Sequence, residues 1–238
     1  MMFPYDFDFL HLFAVALIFI TWGLYTPILN WLGHGTLNAQ LHVVRLKWMR
    51  MLLTSHREKR VFDAILLGNI SSSMSFFGSA TLIVLAGLVG TLASINRVHA
   101  SLIEMAFFPP ISLGLFTVYF SAITLVMAMS FFSFTYALRK LSYTLAMIGG
   151  LDEAPAATPQ AKTMITQTAT VLTSAVTSLN NGIRGYYTAV AALFLFAGPW
   201  PSIVMTLGIA ALLFYRQGWS TEALAIERYV EAMIEEGK

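Results

Sequence analysis

The sequence contains no cysteine. That single absence excludes a disulfide framework, thiolate catalysis, iron–sulfur ligation and Cys-based zinc sites. Charge is also scarce: only 11% of the 238 residues are Asp, Glu, Lys or Arg, and 14 basic against 12 acidic side chains leave a formal net charge of +2. A nucleic-acid binder shows a concentrated basic face, so no nucleic-acid partner is expected. The signatures of soluble enzymes are missing too. No Gly-rich loop leads into Lys-Ser or Lys-Thr to cradle phosphates, and no Gly-x-Ser-x-Gly elbow presents a nucleophile. The five histidines, His11, His34, His42, His56 and His99, show no pair spaced for one helical face beside a carboxylate, as hydrolytic zinc requires. No cofactor and no metal are expected, and the reading leans against an enzyme.

What remains is apolar. A chain that is 57% hydrophobic with a mean hydropathy of +0.71 cannot hide that surface in one soluble core. A bilayer core about 30 Å thick takes about 20 apolar residues per helix, and in lipid every backbone N–H and C=O must be satisfied within the segment. Four runs qualify, 9–32, 64–95, 111–138 and 186–215, and none contains Asp, Glu, Lys or Arg. The expected fold class is all-α, an integral membrane helical bundle of about four transmembrane helices with two amphipathic cytoplasmic helices. It forms a single transmembrane domain over 1–216, followed by an acidic C-terminal helix or tail over 217–238. Asp6 and Asp8 precede the first run with no Lys or Arg before it, so that run is read as a retained span, not a cleaved signal. The fourth run is broken by Gly198-Pro199-Trp200-Pro201. It is either one helix kinked at the prolines or a hairpin that returns to its side of entry, and the kinked span is preferred.

Basic residues are held on the cytoplasmic side. The first connection carries Arg45, Lys47, Arg50, Arg57, Lys59 and Arg60, the second only Arg97, and the third Arg139, Lys140, Lys162 and Arg184. The protein is therefore expected in the cytoplasmic (inner) membrane with its amino terminus outside. Four spans would also put the carboxyl tail outside, whereas a hairpin would put it inside.

In the first connection Leu41, Val44, Trp48, Met51 and Leu52 form one helical stripe, with Lys47, Arg50 and Arg57 away from it. The stripe is expected at the acyl boundary, and the three cations become candidate contacts to anionic lipid headgroups. The third connection opens with a turn-rich stretch, 149–159. It continues as a second amphipathic pattern of Ile165, Thr168, Leu172, Val176, Leu179 and Ile183.

No Asp, Glu, Lys or Arg lies within a span, which argues against a proton-coupled pump or a carrier of charged substrates. In the second run Ser71, Ser75 and Ser79 repeat every four residues, and Ala86 and Gly90 continue the pattern. Small residues so spaced let transmembrane backbones approach closely. A candidate polar cluster at the cytoplasmic edge comprises Asp63, Asn69, Ser73, Asn181, Arg184 and Tyr187, with an Asp63–Arg184 ion pair allowed.

Two stretches carry a resemblance. They are Val61-Phe62-Asp63-Ala64-Ile65-Leu66-Leu67-Gly68-Asn69, leading into Ser73-Met74-Ser75-Phe76-Phe77, and Asn181-Gly182-Ile183-Arg184-Gly185-Tyr186-Tyr187. They resemble the uncharacterised multi-pass membrane family called domain of unknown function 599 (DUF599). The resemblance extends up to about Arg216. It implies the four-span count, directs attention to Asp63, Asn69, Arg184 and Tyr187, and supplies no activity. The sequence thus points to a non-enzymatic membrane protein that acts through contacts, as a homo-oligomer or a subunit of a larger membrane complex, with membrane lipids as partners. The alternatives are a channel or carrier for a neutral or lipidic solute, and a membrane enzyme acting at headgroup level.

Overall fold

A computed structural model describes residues 8–31, 36–54, 57–104, 110–151 and 158–236, apart from the side chains of 30, 53, 54 and 57–60. The described residues are all-α: α1 (Phe9–Trp31), α2 (Leu37–Gln40), α3 (His42–Thr54), α4 (Arg57–Ala93), α5 (Ile95–Glu104), α6 (Leu113–Gly149), α7 (Pro159–Leu193), a 3₁₀ turn (Phe194–Ala197), α8 (Pro199–Gly218) and α9 (Thr221–Glu236). Three stretches, Phe9–Leu29, Val61–Ala93 and Leu113–Gly149, are long and apolar enough to cross a membrane.

Local chemistry starts these helices. Thr36, Ser112, Thr158 and Ser220 each accept a hydrogen bond from an amide in the first turn at 3.1–3.2 Å, satisfying donors that the helix leaves open. Pro159 and Pro199 stand at first helical positions, where a missing N–H costs nothing. The helices also run past their expected bounds. α6 continues through Arg139 and Lys140 to Gly149, and α7 joins the expected amphipathic stretch to the first half of the fourth apolar run in one helix of 35 residues. Its many hydroxyls do not break it, because Thr163, Thr166, Thr168, Thr170 and Thr177 donate back to carbonyls four residues earlier. α5 forms in the connection that holds only Arg97, where no helix was expected.

The chain divides into two compact units: unit 1 is Met1–Ile28, Ser79–Phe132 and Gly182–Phe214; unit 2 is Leu29–Gly78, Ser133–Asn181 and Tyr215–Lys238. In unit 1, Ala14 and Ile18 of α1 pack with Leu115, Tyr119 and Val126 of α6, Ala189 and Ala192 of α7, and Ile203 of α8. Direction is set by pairs of contacts. Gly185 lies against Ser130, and Phe196 packs on Tyr119 about three turns away along each helix, so α7 runs antiparallel to α6. Beyond Gly198, whose φ is +116°, the chain comes back. The Tyr25 hydroxyl donates to the Leu213 carbonyl at 3.1 Å while the Arg184 guanidinium sits 4.5 Å over the Tyr25 ring. Leu213 is therefore level with Arg184, and α8 runs antiparallel to α7. The preferred kinked span is corrected to a hairpin. Proline inside a helix bends it, but glycine in the left-handed region ends one helix and a proline behind it starts another.

In unit 2, Met49 and Leu52 of α3, Leu67 and Met74 of α4, Ala137 and Leu141 of α6, and Ile165 and Leu172 of α7 form one core. Two expectations change here. The apolar side of α3 packs into this core, with Leu46 and Trp48 against it, instead of lying free for an acyl boundary, while Met51 is exposed. α9 packs against α2 and α3, so the acidic tail rests on the first basic connection and not on the opposite side of a four-span protein.

Candidate functional site

Asp63 stands nearly two turns into α4, and its Oδ1 accepts a hydrogen bond from Trp48 Nε1 of α3 at 2.7 Å. Beside it opens a cavity of about 450 Å³ lined by Leu52, Asp63, Ala64, Leu67, Gly68, Ser71, Leu145, Ile148, Gly149 and Leu151. All of these belong to unit 2. The volume falls within the range of small-molecule sites, about 300–1,000 Å³, which are mostly apolar with few polar groups. Among the described residues of the lining, Asp63 is the one ionisable group.

A second polar constellation in unit 2 was not foreseen. Arg45 donates to the Asn38 carbonyl oxygen at 3.0 Å, to Asn38 Oδ1 at 2.7 Å and to Thr173 Oγ1 at 3.3 Å. Asn38 Nδ2 in turn donates to Thr177 Oγ1 at 2.6 Å and to the Thr173 carbonyl at 3.2 Å. His42 Nδ1 lies 3.0 Å from Thr173 Oγ1. On the next face of α7, Lys140 Nζ donates to Ser178 Oγ at 2.7 Å. Both cations are thus held by neutral oxygens. Burial pulls the Arg45 pKa down from its usual value, since a guanidinium away from water loses solvation. The hydroxyl repeat Thr173, Ser174, Thr177, Ser178 was the signal available in the sequence. It marks a helix face that can accept from cations.

At the surface of unit 2, Lys47 Nζ and Glu236 Oε2 form an ion pair at 2.7 Å. The hydrogen bond and charge of Glu236 raise the Lys47 pKa, and the same bond lowers that of Glu236. Arg50 is exposed on α3. The side chain of Arg57 and the turn at 152–157 lie outside the described residues.

Unit 1 gathers the second motif. Arg184 donates to Thr26 Oγ1 at 3.0 Å and covers Tyr25; Tyr186 hydrogen bonds with Thr81; a Cβ on Gly185 would collide with the Ser130 hydroxyl. Three consecutive residues of α7 thus engage α1, α6 and α4. A cavity beside them, lined by Thr21, Tyr25, Arg184, Thr188 and Thr206 among others, has a free volume of about 20 Å³. That admits a water but not a solute.

The expected six-residue cluster divides between the units: Asp63, Asn69, Ser73 and Asn181 fall in unit 2, Arg184 and Tyr187 in unit 1. Asn69 and Ser73 are exposed, with Ser73 donating to the Asn69 carbonyl of its own helix at 3.0 Å. Within unit 2 Trp48 engages Asp63, and within unit 1 Tyr25 and Thr26 engage Arg184. Among the described residues no group of three His, Asp or Glu converges on a metal position.

No curated protein and no solved structure matches the chain. The profile of a family described as a protein of unknown function, DUF599, matches residues 13–221. The chain belongs to the DUF599 family.

Proposed function

We propose that this is a multi-pass protein of the cytoplasmic membrane that works through helix contacts, as a homo-oligomer or as a subunit of a larger membrane complex. The observation that carries the reading is the exposure of α4. Over its most apolar window only 11% of residues are buried, against 44% for α6. Ser75, Ser79, Ala86 and Gly90 are all exposed on it. Large apolar side chains alone would be suited by lipid. Small residues repeated along one stripe offer lipid little and suit the close approach of another helix.

The same reading takes five crossings, with α7 and α8 paired across the Gly198 turn. An odd number puts the two termini on opposite sides, and the basic connections then put the amino terminus outside and the carboxyl terminus in the cytoplasm. Two observations support it: α9 rests on the basic first connection, and twelve of the fourteen Lys and Arg fall in unit 2, with only Arg97 and Arg184 in unit 1. The basic face of α3, with Lys47 and Arg50, then meets anionic headgroups or α9, and Arg57 of α4 stays a candidate headgroup contact. Asp63, Asn69, Ser73, Asn181, Arg184 and Tyr187 remain residues to test for function.

The test is the mass of the protein purified in mild detergent, with and without Ser79→Leu and Gly90→Leu on α4. A discrete oligomer or stoichiometric partner is expected, reduced to the single chain by the two substitutions. A clean monomer, or an oligomer indifferent to them, removes the contact reading. A carrier of lipidic solutes is the second reading, favoured by the 450 Å³ cavity of unit 2. Solute flux into liposomes that is equal for wild type and for Gly68→Leu, which fills that cavity, would sink it.

A further inference from the structure

We propose that the unit 2 cavity binds a single-chain amphiphile with a protonated amine head and an apolar tail, the head against Asp63 and the tail between α4 and α6. The size of the cavity, about 450 Å³, is that of a ligand site and far more than a packing defect. Its walls choose the tail: Leu52, Leu67, Leu145, Ile148 and Leu151 offer a hydrocarbon chain contact and no polar partners. Gly68 and Gly149 widen it, since a Cβ added to either would meet nothing within 4 Å.

Asp63 chooses the head. Its Oδ1 is held by the Trp48 indole at 2.7 Å. An indole N–H is a neutral donor, so this bond orients the carboxylate without cancelling its charge. A carboxylate beside an apolar chamber favours a cationic donor over a neutral one, because the cation adds Coulomb attraction to the hydrogen bond that either donor can make. It disfavours an anion by like-charge repulsion. A fatty acid is therefore the wrong ligand, a fatty alcohol an indifferent one and a fatty amine the right one.

The inference is independent of the α4 stripe and of oligomeric state. The experiment uses the full chain in nanodiscs of zwitterionic lipid, with empty nanodiscs as blank and dodecylamine, dodecanol and dodecanoate as probes. Binding is read from the change in tryptophan emission of the full chain after subtraction of the blank. Dodecylamine should give a saturable change, with dodecanol about tenfold weaker, equivalent to 1.4 kcal/mol, and dodecanoate weaker still. Asp63→Asn should bring the amine to the level of the alcohol, Asp63→Glu should keep the preference, and Gly68→Leu should abolish all binding with helix content unchanged. Equal affinity for amine and alcohol in the wild type, undiminished amine binding by Asp63→Asn, or no saturable change overturns the proposal. If Asp63→Asn does not fold, the ranking of the three probes on wild type and their loss in Gly68→Leu decide it.

Discussion

In unit 1, α7 meets its neighbours through a ring, a hydroxyl and a missing side chain: Arg184 on Tyr25, Tyr186 on Thr81, Gly185 on Ser130. In unit 2, one to three turns earlier on the same helix, it is gripped by cations on Thr173 and Ser178. The contrast follows from what each stretch must exclude. Ionisable groups are expensive in an apolar setting, so close backbone approach and a single shielded guanidinium do the joining in unit 1. In unit 2 polar side chains can bring charge, provided neutral oxygens receive it.

The sharpest way to break that comparison is at Gly185. Gly185→Leu should cost about 3 kcal/mol or more through overpacking against Ser130, read as a lower unfolding temperature in detergent, and Gly185→Ala with Ser130→Ala should recover part of the loss. Gly87→Ala is the contrasting control: its new Cβ meets nothing within 4 Å, so it should be neutral or stabilise by about 0.5–1 kcal/mol. In unit 2, Asn38→Leu removes the group that joins Arg45 to Thr177. A cost of about 2 kcal/mol is expected from the polar groups it strands, with faster amide exchange in 37–54 and 165–181. Arg184→Gln should cost about 1 kcal/mol through loss of the ring contact and the Thr26 bond, with faster exchange confined to unit 1.

The smallest effect belongs to Lys47–Glu236, exposed on both sides. Glu236 has a lowered pKa, so its share of the contact is present above the ordinary glutamate range and lost as pH falls through the lowered value. Lys47 has a raised pKa, so its share is complete below the ordinary lysine range and lost only as pH rises through the raised value. Proteolysis of α9 should therefore be slowest around neutrality, faster in acid and faster in high salt.

The apolar runs made the long helices legible, because hydropathy acts over twenty residues and needs no partner. The Arg184-Gly185-Tyr186 stretch was legible as a motif, although its partners Tyr25, Ser130 and Thr81 lie far off in the chain. Gly198-Pro199 was legible as a break, but its direction depends on Tyr25 reaching Leu213, a tertiary contact no local pattern encodes. Asp63 was legible as a polar position, whereas its partner Trp48 was read as part of a stripe at the acyl boundary, because periodicity cannot say which surface an apolar stripe will find. Asn38 escaped notice for lack of any repeat around it.

The reversal at Gly198 also bears on how the chain is made. The last part of α7 is a short apolar stretch behind a long polar one, and α8 is not among the helices that qualify as membrane spans alone. Within the five-crossing reading, the two must enter the bilayer as a pair, after the ribosome has released the turn between them. The apolar end of α7 and α8 are then integrated in one late step, and a truncation before α8 would leave the apolar end of α7 without the partner it enters with.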